Sequence, residues 1–164
     1  MRVRAHRWIV SVVALVALVA LGQSARADVS PKVIKALKGQ IIVSKEPVES
    51  GASDKDTIAE FKKAKLSEIK GEPNADDVVA WHFHYTAFLK GKSSPNLALE
   101  FHKGKKYVAD QRLTGVDPKL TVLEGDISIT EDDGPSRGTE YTLKLVGKSN
   151  GKDVVLATTT LKLN

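Results

Sequence analysis

The chain has 164 residues, no cysteine, and 25 Lys and Arg against 20 Asp and Glu, for a formal net charge of +5. The lack of cysteine excludes disulfides, thiolate metal centres, cysteine redox chemistry and a lipid-modified cysteine. Arg2, Arg4, Arg7 and Arg26 precede Asp28 with no acid among them, so residues 28 to 164 carry 21 basic against 20 acidic side chains, and the excess that would suit a nucleic-acid partner is gone.

Residues 1 to 27 read as an export signal. The three early arginines form a basic n-region, residues 8 to 21 are an apolar run, and Ala25-Arg26-Ala27 places small residues at alternate positions before a cut. A spanning helix needs roughly 20 apolar residues, so this run is too short for a permanent anchor. The expected product is an exported protein, periplasmic or extracellular, beginning at Asp28. Residues 28 to 164 suffice for one domain, since a chain of about this size buries roughly 68% of the surface its unfolded form exposes.

From Gly39 onward, short runs rich in Val, Ile, Thr and aromatics are cut by Gly, Pro, Asn and Asp. They predict strands near 39 to 46, 65 to 70, 77 to 89, 97 to 103, 106 to 113, 120 to 130, 139 to 148 and 153 to 163. One short helix is expected over 55 to 64, where Ser53 and Asp56 resemble a capping box ahead of Ile58, Phe61 and Ala64. Residues 90 to 96 read as a loop joining two hairpin strands. Asn150 and Gly151 supply the two positive φ angles of a tight turn, which sets Ser149 opposite Lys152 and, continued back, Leu145 opposite Leu156 and Leu143 opposite Thr158.

Eight short strands with almost no helix predict an all-β, two-sheet antiparallel sandwich, with a small closed barrel as the alternative. Trp81 in a central strand, and Tyr141 opening a late strand after a Gly-rich corner, give the chain a resemblance to immunoglobulin-like sandwiches. The resemblance implies a fold and no function.

Three motifs bear on chemistry. In Trp81-His82-Phe83-His84-Tyr85, strand alternation sends the aromatics to one face and both histidines to the other. If residues 90 to 96 close a symmetric hairpin, His84 faces His102 and Thr86 faces Glu100, and His82, His84, His102 and Glu100 become ligands for zinc or copper. The competing interpretation makes these polar residues the solvent side of a strand whose aromatics fill the core. Gly134-Pro135-Ser136-Arg137-Gly138 fits the Gly-X-Ser-X-Gly pattern of a hydrolase elbow, yet a strand is expected after it where that elbow needs a helix. Glu131-Asp132-Asp133-Gly134 could hold calcium, but a plain turn accounts for the same residues.

Lys62, Lys63 and Lys65, and Lys103, Lys105 and Lys106, read as solvated surface because no aromatic is placed to stack on a base. The leading expectation is therefore a non-catalytic exported binding or structural module. Its partner is a protein, a surface polymer or a small ligand, met through residues 47 to 56, 90 to 96 or 131 to 138. Zinc or copper binding is the alternative function.

Overall fold

The computed structural model describes residues 24 to 25 and 29 to 164; the rest of the expected signal peptide lies outside the described residues. In chain order the elements are β1 (Ser24–Ala25), α1 (Pro31–Leu37), β2 (Ile41–Ser44), α2 (Asp54–Ala64), β3 (Glu68–Ile69), β4 (Glu72–Pro73), β5 (Val79–Phe88), β6 (Asn96–Lys103), β7 (Lys106–Thr114), β8 (Val122–Thr130), a 3-10 turn (Glu131–Asp133), β9 (Thr139–Ser149) and β10 (Lys152–Leu163). The first sheet runs β1-β8-β5-β2, with β4 also paired to β5, and the second runs β3-β10-β9-β6-β7. The two are separate sheets, linked by an isolated bridge between Gln40 and Thr158, so the sandwich describes the chain better than a closed barrel. No helix among the described residues is long and apolar enough to cross a membrane.

Alternation explains how the layers meet. Trp81, Phe83 and Tyr85 of β5 point inward and share one core with Leu97, Leu99 and Phe101 of β6 and with Leu143 and Leu145 of β9. Trp81 keeps its indole N–H satisfied there by donating to the Asn164 main-chain oxygen at 3.1 Å. The other face of the first sheet carries Ile42, Phe88 and Val122, and the two helices cover this end of it with Val33, Leu37 and Phe61. Phe61 meets Phe88 edge to face at 5.1 Å.

The helix expected over 55 to 64 is α2, with Ser53 Oγ accepting from the Asp56 amide at 3.2 Å. α1 is not among the expected elements, although Ser30 as N-cap and Pro31 at the first helical position are start signals. At seven residues α1 is too short to be stable alone, and it depends on packing and on the Ser30 hydroxyl, which donates to Asp54 Oδ1 at 2.6 Å and so ties the starts of both helices together.

The last hairpin turns at Asn150 (φ 50) and Gly151 (φ 75), and Ser149 faces Lys152. Further back the expected register slips by one. Leu145 faces Ala157 and Leu143 faces Thr159, because the ladder shifts between Val155 and Ala157 and leaves Leu156 as the extra residue of a bulge. The expected hairpin around residues 90 to 96 is also corrected: β5 pairs with β2, β4 and β8, whereas β6 pairs with β7 and β9. Both strands carry an apolar face, and placing them in opposite sheets lets those faces bury each other, which side-by-side pairing would not do.

Candidate functional site

The crossover separates the expected metal ligands. His82 and His84 lie on the outer face of the first sheet, opposite Ser128 and Asp126. Glu100 and His102 lie on the outer face of the second, with Lys144 and Thr142 as their neighbours on β9. The inter-sheet core stands between the two pairs. The structure thus brings Glu100 to His102, at 2.7 Å from Nε2, and does not bring either to His84. Among the described residues no group of three or more His, Cys, Asp or Glu converges as a metal site.

His84 is nonetheless placed with care. It is buried, its Nδ1 lies 2.9 Å from Asp126 Oδ1, and its Nε2 lies 4.0 Å from Glu124 Oε2, beyond hydrogen-bond reach. Ser44 faces it from β2, which puts Ser, His and Asp on three adjacent strands. The ring nevertheless leans toward β8, and the Ser44 hydroxyl donates to the Glu46 carbonyl at 2.7 Å. The trio is a polar seam in the sheet without a nucleophile–base contact.

Ser136 is exposed in the connection between the 3-10 turn and β9, with no helix after it to form an elbow. Its amide donates to the Tyr141 hydroxyl at 2.8 Å, pinning the corner to the start of β9. The acidic run builds the turn itself: Asp133 Oδ2 accepts from the Thr130 amide and hydroxyl, both at 2.8 Å, and Gly134 caps the turn at φ 118.

A different place offers a better binding geometry. A groove of about 610 Å³ lies where α1 meets the end of β5 and the chain entering β8. Pro31, Ile34, Lys35 and Lys38 come from one side of α1, since i, i+3 and i+4 positions share a helix face. Leu89, Lys90 and Lys92 follow β5, and Lys119 and Thr121 precede β8. Among the described residues, five lysines and no acid therefore line it, and none of the five forms an ion pair.

The groove stands on fixed backbone. The Leu89 amide donates to Thr121 at 2.9 Å and the Lys90 amide to the Leu156 carbonyl of the bulge at 2.8 Å. Gly39, at φ 80, donates to Phe88 at 2.6 Å and ties the end of α1 to β5. A Cβ at Gly39 would collide with the Lys90 stem, so that stem lies across the glycine. The site is not legible in the sequence because its lysines come from three segments far apart in the chain, although residues 90 to 96 are among the loops expected to meet a partner.

A hollow on the second sheet differs in charge. The groove of about 480 Å³ on the outer face of the second sheet is lined by Glu100, Tyr107, Asp110, Arg112, Lys148 and Asp153, whose charges pair with each other: Arg112 with Asp110 at 3.7 Å and Lys148 with Asp153 at 3.8 Å. Tyr107 also donates to Asp110. That hollow has little charge left to offer a ligand, whereas the groove beside α1 keeps all of its own. Comparison with protein-family models, with curated proteins and with solved structures finds no match to this chain.

Proposed function

We propose that this protein is an exported, non-catalytic β-sandwich module that binds a small anionic ligand in the lysine-lined groove beside α1. The observation that carries the reading is five lysines, none in an ion pair among the described residues, around an apolar lining on backbone that is already hydrogen-bonded in place. Ligand sites are usually preformed, largely apolar hollows of roughly 300–1,000 Å³ with a few polar groups that orient the ligand. Export is supported by Arg2, Arg4 and Arg7 ahead of the apolar run at 8 to 21 and by Ala25-Arg26-Ala27. Cleavage after Ala27 would remove β1, which pairs with Leu123 and Glu124 at the edge of β8.

An immunoglobulin-like arrangement is favoured by strand order. Taking β2, β5 and β8 as strands A, B and E leaves β6, β7, β9 and β10 as C, C′, F and G, the division into two sheets found in that architecture. The bond between Ser136 and Tyr141 lies at the E–F corner, where such domains place a tyrosine hydroxyl against upstream backbone. The chain departs from the pattern in carrying two helices and in placing Trp81 on strand B.

Titration with 1-anilinonaphthalene-8-sulfonate, an anion with an apolar ring system, tests the reading. One saturable site that weakens as salt rises is expected. Fluorescence that never saturates, or saturable binding unchanged by Lys38→Glu, would remove the groove as a ligand site.

A further inference from the structure

We infer that the groove takes one linear amphiphile with a carboxylate head, an unesterified fatty acid in monomeric form, the tail lying along Pro31, Ile34 and the lysine stems and the head among the lysine ammonium groups. This rests on the reading of the groove as a ligand site and specifies its ligand. The apolar lining is aliphatic: Pro31 and Ile34 share the groove with the lysines, whose methylene stems can cover apolar surface while their ammonium groups stay in water.

The choice of head follows from the cations. All five are lysines, compact point charges that do not impose the planar two-point fork with which arginine grips phosphate. Phosphate cradles also use converging backbone N–H groups, and of the successive amides from Leu89 to Lys92 the first two are already given to Thr121 and Leu156. The same two bonds close the strand end to an acidic peptide that would need main-chain partners. Among the described residues no aromatic lines the groove, so a nucleobase has nothing there to stack on. A bilayer surface is disfavoured because, among the described residues, no large apolar side chain projects from the groove as an anchor would: Ile34 is half-buried and Leu89 is buried.

Calorimetry on the purified protein, with carboxylates from octanoate to tetradecanoate below their micelle concentrations, tests the assignment. The expected result is 1:1 binding that tightens about two- to fourfold per added methylene, the upper value being the about 0.8 kcal/mol of a fully buried CH₂. Dodecyltrimethylammonium, with the same tail and the opposite charge, should not bind. Lys90→Met, which keeps an apolar stem, and Lys38→Met should together weaken dodecanoate at least tenfold while circular dichroism stays unchanged. Affinity independent of chain length, equal binding of acetate or inorganic phosphate, or uptake by phosphatidylglycerol vesicles without monomer binding would each overturn the assignment. Failure of the carboxylates while the sulfonate probe still binds refutes the fatty-acid ligand alone; failure of both refutes the groove as well.

Discussion

The stem of Lys90 lies across the α-carbon of Gly39, so the residue that ends the turn after α1 and a cation of the groove occupy one another's space. Gly39→Ala meets two penalties. An L-residue at φ 80 is strained by about 1–2 kcal/mol, and the new methyl displaces the lysine stem. Thermal unfolding should show a Tm several degrees lower, and sulfonate-probe binding should weaken in the variant. An unchanged Tm would mean that the turn does not need a glycine.

Phe61 and Phe88 hold the helices on the first sheet. Phe61→Ala should cost about 3–5 kcal/mol, as large-to-small changes of buried aromatics do. The loss should be local at first, since the inter-sheet core does not include Phe61. Hydrogen exchange should speed up across Pro31–Leu37 and Asp54–Ala64 before it does in Thr139–Ser149. Equal acceleration in all three segments would contradict a layered fold.

Tyr85 is buried in the core with no hydrogen bond to its hydroxyl. Burial, assisted by the negative charge of Asp126, pushes its pKa up from 10.0 to about 12. The folded state thus holds the phenolic proton more tightly than the unfolded state does. Stability from this source is complete below pH 10 and falls as the pH rises through about 12, by an amount on the order of 2–3 kcal/mol. Tyr85→Phe removes an unsatisfied group and should leave neutral-pH stability equal or higher while flattening the loss above pH 10. Chemical denaturation at pH 7 and pH 11 measures both effects.

His84 and His102 stand on opposite outer faces. Any zinc binding through them must therefore be independent, and calorimetric effects of His84→Ala and His102→Ala should add to within about 0.5 kcal/mol in the double variant. A strongly non-additive pair would mean that the two imidazoles share an ion, which this topology forbids.

Tyr141→Phe removes the acceptor of the Ser136 amide at the corner before β9. Equilibrium denaturation should register a loss of about 0.5–1.5 kcal/mol, the usual net value of one such bond. A fluorophosphonate probe should not label Ser136.

Much of the fold was legible because it depends on short-range pattern. Trp81, Phe83 and Tyr85 at alternate positions marked β5 and its buried face, Ser53 marked the start of α2, and Asn150 and Gly151 marked the last turn. What failed depends on contacts between distant segments. The pairing of His84 with His102 followed from treating residues 90 to 96 as a hairpin loop, and nothing in that loop says that Leu89 and Lys90 are tied to Thr121 and Leu156. The bulge at Leu156 is likewise invisible in a run of apolar residues. The groove was illegible for the same reason, since Lys38, Lys90 and Lys119 become neighbours only once β5 has reached α1 and the approach to β8.

The most direct test is amide chemical-shift mapping of the protein with dodecanoate. A fatty acid in the groove beside α1 gives saturable shifts confined to residues 31 to 39, 88 to 93 and 118 to 122, the three segments that meet there. Shifts centred instead on Glu100, Tyr107 and Arg112, across the outer face of the second sheet, would contradict it.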